Sequence, residues 1–202
     1  MIPYNFTFLS HPKICSGLKA LEHIPFELES LNARKPLVIT SARWAKKGLA
    51  KTLTKALYDS NITIGALFTN APNYPSVTII NELSKLYRDR GCDSIIALGS
   101  GGIAHIAKAV NMVVSLKTDI LQCTDLTISS PLKPLICVPT ADCEGGEMAS
   151  VAYYERFEKK SDFLYPDVIV IDSRITRHAT SPEIANCALT SLTHAIEACG
   201  IA

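Results

Sequence analysis

No two of the seven cysteines form a C-x-x-C pair, and their number is odd. That excludes a zinc ribbon and argues against a disulfide framework. Cys15, Cys92, Cys123, Cys137, Cys143, Cys187 and Cys199 read as reduced, mostly buried thiols of a cytoplasmic protein. Excess charge is also missing. Lys and Arg total 20 against 19 Asp and Glu, a net charge of +1 with no basic stripe, which excludes an electrostatic footprint for nucleic acid or an anionic membrane. The longest apolar run, around 110–114, is too short to span a bilayer, and MIPYNFTFLSHPK lacks the basic start and apolar stretch of a secretion signal. Internal repeats and low-complexity segments are absent. What is present is 48% hydrophobic residues in 202, enough for one α/β domain with a sizeable core, or one domain and the start of another.

Short apolar runs alternate with helical patterns. PLVIT at 36–40, the stretch 62–68, SIIAL at 94–98, LICV at 135–138 and VIVI at 168–171 predict strands; 47–58, 77–90 and 103–114 predict helices, and 118–133 a polar loop. Strands spaced by helices of this length favour a parallel sheet covered by helices. Ser181, Pro182 and Glu183 supply an N-cap, a first-turn proline and a first-turn acid for a last helix running to about Cys199, with Gly200 as its cap. Its apolar stripe is Ile184, Ala188, Leu192, Ala195 and Cys199; Thr190, His194 and Glu197 share the other side. From spacing alone that side is a solvated polar face.

Two loops carry chemistry. Gly99-Ser100-Gly101-Gly102 follows a predicted strand and opens a predicted helix, where glycines let the backbone approach a pyrophosphate that meets the helix N-terminus. Glycines also serve plain tight turns, so the pattern alone leaves both readings open. The second, Pro139-Thr140-Ala141-Asp142-Cys143-Glu144-Gly145-Gly146-Glu147, leaves another strand's carboxyl end, where ligands sit in such folds.

Five segments in order resemble the iron-containing (group III) alcohol dehydrogenase family. Cys92-Asp93-Ser94-Ile95-Ile96-Ala97-Leu98-Gly99-Ser100-Gly101-Gly102 through Ala107-Lys108 is similar to gcDxIIALGGGSxxDxAK, and Pro72-Asn73-Tyr74-Pro75-Ser76 to its P-x-x-P-[ST] turn. The second loop is similar to PTTAGTGSE, Pro166-Asp167-Val168 through Asp172 to PDVxxxD, and the last helix to GMDALTHAIEA. The resemblance implies a Rossmann-like nucleotide-binding sheet over 1–180, with 181–202 as the first helix of an otherwise absent all-helical domain. It implies NAD or NADP held by Gly99, Ser100, Gly101, Gly102, Lys108, Thr140 and Ser41. It also implies a divalent metal, Fe²⁺ or in some members Zn²⁺, at His194 and Thr190, and a small alcohol or aldehyde as substrate.

The departures set further expectations. The family's metal-binding Asp is Thr190 here, and its other histidine ligands lie in the helical domain, so the metal site is incomplete and the inactive alternative is a nucleotide-binding remnant. GGGS is GSGG, and the Asp that follows is His105, expected at the surface. Asp142 and Glu144 would oppose a pyrophosphate. The acid that favours NAD is Ser41, with Arg43 nearby, which makes NADP admissible. A dehydroquinate-synthase relative is disfavoured by the ALTHAIEA helix. Self-association through the last helix's apolar stripe is expected.

Overall fold

The strands found at 36–40, 94–98 and 135–138 all have every residue buried: β2 (Pro36–Thr40), β4 (Ser94–Leu98) and β5 (Leu135–Val138). A computed structural model, which describes residues 11–140 and 145–200, places them inside a six-stranded sheet. The others are β1 (Lys13–Gly17), β3 (Ala66–Phe68) and β8 (Val168–Asp172), in the order β1-β8-β5-β4-β2-β3. Every pairing is parallel. Side chains alternate across the sheet, so the inner strands feed two cores. Leu37, Ile39, Ile95, Ala97, Leu135, Cys137 and Ile169 pack on one face with α4 (Val77–Asp89) and α5 (Gly102–Leu116). Val38, Ile96, Leu98, Ile136, Val138, Val168 and Val170 pack on the other with α1 (Ile24–Ser30), α3 (Leu49–Ala56) and α7 (Ser173–Thr176). The α/β class and parallel sheet stand as expected.

Several boundaries move. The helix expected over 47–58 is α3, which begins only after Gly48 at φ 80°, and a further short helix, α2 (Ala42–Lys46), precedes it. The strand expected over 62–68 shortens to β3, a half-buried edge. The loop 118–133 contains a turn of helix, α6 (Ile120–Cys123), capped by Asp119. Two features were not foreseen: the exposed edge strand β1, and an antiparallel hairpin of β6 (Val151–Tyr154) and β7 (Phe157–Lys160). The hairpin packs on α5, and at its turn Glu155 Oε1 accepts from the Val77 N–H at the start of α4 at 3.0 Å.

The last helix, α8 (Ser181–Gly200), starts one residue earlier than expected. Thr180, not Ser181, caps it: the Thr180 carbonyl accepts from Ile184 N–H at 3.0 Å, and Glu183 reaches back to Thr180 N–H at 2.8 Å. Gly200 is inside the helix rather than a cap, and no residue of α8 is buried.

Candidate functional site

The carboxyl ends of β2, β4, β5 and β8 lie side by side; β4 and β5 run into the two motif-bearing loops, β2 through Ser41 into α2, and β8 directly into α7. After β4, Gly99 takes φ 146° and Gly101 takes φ 53°, ψ −120°, a conformation effectively restricted to glycine. Gly101 is the N-cap of α5 and leaves that end of the helix without a side-chain cap, whereas Ser76 caps α4 and Asp172 caps α7. This 15-residue helix thus begins without a side-chain acceptor, its Ile103 N–H turning back to the Ser100 carbonyl at 3.2 Å. Gly102 is a glycine for a different reason. A Cβ there would fall 1.7 Å from the Asn73 carbonyl, so the P-x-x-P-S turn packs directly on the loop.

Ser100 ties this loop to the one after β5. Its Oγ donates to the Thr140 carbonyl at 3.1 Å and accepts from Thr140 N–H at 3.0 Å, with both residues buried. The Ser100 hydroxyl thus meets protein, leaving backbone for a ligand. Lys108 differs more from its expected role. It is 1% exposed, and its ammonium donates to the carbonyls of Gly146 (2.7 Å), Val151 (3.3 Å) and Ala149. With three N–H groups and three carbonyls, it braces the loop that walls the cleft rather than reaching into it. Burial pushes its pKa down to about 8. Ser41 is the N-cap of α2, its Oγ accepting from Trp44 N–H at 3.5 Å. Asp142, Cys143 and Glu144 lie outside the described residues.

His105 is half-buried, not at the surface. It abuts Gly146, its Nδ1 accepts from Tyr153 N–H at 3.4 Å, and its ring meets Tyr153 edge-on with centroids 5.1 Å apart. Burial, and then the Lys108 charge, push its pKa down to about 4, partly opposed by the Val151 backbone. It shares a cavity of about 560 Å³ with Gly146, Tyr153 and His194. An adjoining cleft of about 410 Å³, nearly all apolar, runs between Pro139, Thr140, Met148 and Ile169 on one side and Ile184 and Cys187 of α8 on the other. Glu147, its one charged lining residue, is buried. Tyr153 and Met148 escaped the sequence reading; the alternating VAYY pattern was the available signal for the first.

Thr190, His194 and Glu197 do share one face of α8, and His194 Nδ1 lies 3.7 Å from Glu197 Oε2 with both side chains mostly exposed. Among the described residues no group of three or more His, Cys, Asp or Glu could hold a metal ion. A glycine-rich turn at a helix N-terminus without a side-chain cap fits a dinucleotide. Thr190 and His194 do not by themselves fit a dication, which takes three or more protein ligands. The six described cysteines are free, and no helix among the described residues is long and apolar enough to cross a membrane.

A sequence profile of the family described as iron-containing alcohol dehydrogenase matches residues 11–173. The chain is 27% identical to the sulfoacetaldehyde reductase of Bilophila wadsworthia, over 98% of this chain and 53% of that protein, and 27% identical to the choline dehydrogenase of Bacillus subtilis, over 95% and 50%. Its fold superposes on a 1,3-propanediol oxidoreductase with TM-score 0.85 at 22% identity, covering 95% of this chain and 52% of that one. It matches the NADH-dependent butanol dehydrogenase A of Thermotoga maritima with TM-score 0.80 at 21% identity, covering 96% and 50%. The chain spans about half the length of these proteins. The family's description names iron; zinc finds no support. The profile covers most of the sequence, including the glycine turn and the β5 loop: this chain belongs to the iron-containing alcohol dehydrogenase family.

Proposed function

We propose that residues 1–180 form the NAD(P)-binding part of an alcohol dehydrogenase acting on a small alcohol or aldehyde in the cytoplasm, and that 181–202 begin its helical part. The observation that carries this reading is the turn after β4. Gly101 adopts a backbone conformation that other residues avoid, and does so at the N-terminus of a long helix with no side-chain cap. Ser100, Gly101 and Gly102 would hold the pyrophosphate by backbone N–H groups, and Gly99, whose own N–H is bonded to the Val138 carbonyl at 3.0 Å, would shape the turn. Thr140, fixed by Ser100, would line the next stretch, and Ser41 would meet the adenosine ribose. Bound nicotinamide would supply a hydride acceptor or donor. The chain's own residues would position it and shield it from water along Pro139, Met148 and Ile169.

A second reading, a nucleotide-binding module without turnover, is favoured by Thr190, where the family has a metal-binding carboxylate, and by the sparse ligand set around His194. One pair of measurements tests both. NADH fluorescence on titration with the chain reports binding, and Gly101→Asp is expected to abolish it. Oxidation of short alcohols with added Fe²⁺ reports turnover. Binding without turnover supports the second reading; no binding at millimolar NADH or NADPH removes both.

A further inference from the structure

The register Thr40↔Leu98 sets the end of β2 one strand away from the glycine turn, a spacing of about 4.8 Å. A dinucleotide whose pyrophosphate lies on α5 would therefore bring its adenosine ribose over Ser41 and the start of α2. No carboxylate follows β2; the charged groups here are Arg43, Lys46 and Lys47 of α2 and its C-cap, and Glu183 from α8. Arg43 is committed. Its guanidinium lies 4.5 Å above the Trp44 ring and is hydrogen-bonded to Glu183 Oε1. Glu183 is fixed in turn, since its Oε2 accepts from Thr180 N–H at 2.8 Å and the Thr180 hydroxyl at 2.9 Å. Lys47 is also directed to α8's approach, donating to the His178 carbonyl at 2.8 Å.

We infer that Glu183 sets the cofactor preference of this site, holding Arg43 in an ion pair so that the adenosine pocket accepts a 2′-hydroxyl and disfavours a 2′-phosphate. The inference rests on the dinucleotide reading. A 2′-phosphate requires a cationic partner to replace its hydration, and Arg is the usual one. Here it would compete with Glu183 for the guanidinium and face that carboxylate's charge as well. A 2′-hydroxyl makes neither demand. Glu183 acts on this pocket through the contact of α8 with α2.

Calorimetric titration of the whole chain with NADH and with NADPH tests it, on the wild type, Glu183→Gln, Arg43→Met and the double variant. Glutamine keeps an oxygen for the Thr180 cap, and circular dichroism confirms the fold. The wild type is expected to bind NADH about tenfold more tightly than NADPH. Glu183→Gln should leave NADH affinity within about twofold and tighten NADPH by about fivefold or more. Arg43→Met should cancel that gain in the double variant while changing little alone. A wild type that prefers NADPH, or a Glu183→Gln protein whose NADH-to-NADPH ratio is unchanged, overturns the role of Glu183 while leaving the dinucleotide reading intact. Failure of the wild type to bind either nucleotide overturns both.

Discussion

Ser100 and Thr140, forty residues apart, hold each other by two short bonds through one hydroxyl, which accepts from the Thr140 N–H and donates to the Thr140 carbonyl. The loops after β4 and β5 therefore move as one. Ser100→Ala removes both of these bonds to the buried Thr140 backbone, at a cost of about 2 kcal/mol. The midpoint of urea unfolding should fall accordingly, and NADH affinity with it. Thr140→Ser keeps both backbone bonds and should change neither appreciably.

The five glycines at the two loops differ in what they do, and alanine substitution separates two of them. Gly102→Ala drives a methyl into the Asn73 carbonyl at 1.7 Å, a backbone clash that only a shift of the turn relieves. About 3 kcal/mol of destabilisation is expected. Gly145 has none of the described residues within 4 Å of an added Cβ and a φ of 81°, so Gly145→Ala should cost about 1–2 kcal/mol. Equal losses in guanidinium unfolding would show that the Asn73 contact is not what keeps Gly102 a glycine.

How much of this was legible beforehand follows physical lines. Strands β2, β4 and β5 are buried on both faces and read as plain apolar runs. The strand β1 is an exposed edge with Cys and Ser in it, and the β6–β7 hairpin turns at Glu155-Arg156 with no Gly, Asn or Pro to announce it. In the site, backbone positions were readable and side-chain partners were not. Gly101 could be placed from its spacing after a strand. That Lys108 spends its three donors on carbonyls 38 to 43 residues away depends on where the chain returns, which no local pattern encodes.

His105 supplies a pH dependence. Its pKa in the folded chain is about 4, against an ordinary value of 6.5. Between these pH values the unfolded chain binds the proton and the folded chain does not, so stability rises with pH across the window and falls on acidification from about 6.5 to 4. His105→Gln removes the titrating group while keeping a polar side chain. Thermal unfolding followed from pH 7 to pH 4 should lose less stability in the variant than in the wild type; parallel curves would place the histidine in solvent.

Thr190 and His194 stand one turn apart on α8, where the family pattern calls for a carboxylate and an imidazole. A threonine hydroxyl is neutral and a weak partner for a hard dication; an aspartate at the same position adds a charged oxygen ligand on the same face, beside Glu197. Elemental analysis of the wild-type chain is expected to show no stoichiometric iron. Thr190→Asp should tighten Co²⁺ binding by about tenfold in an absorbance titration, and His194→Ala in that background should cancel the gain. No residue of the helix is buried and its start is held by Thr180 and Glu183, so neither substitution falls in a core. A wild-type chain that purifies with one equivalent of iron would mean that residues beyond this helix face, such as His105 across the shared cavity, already complete the site.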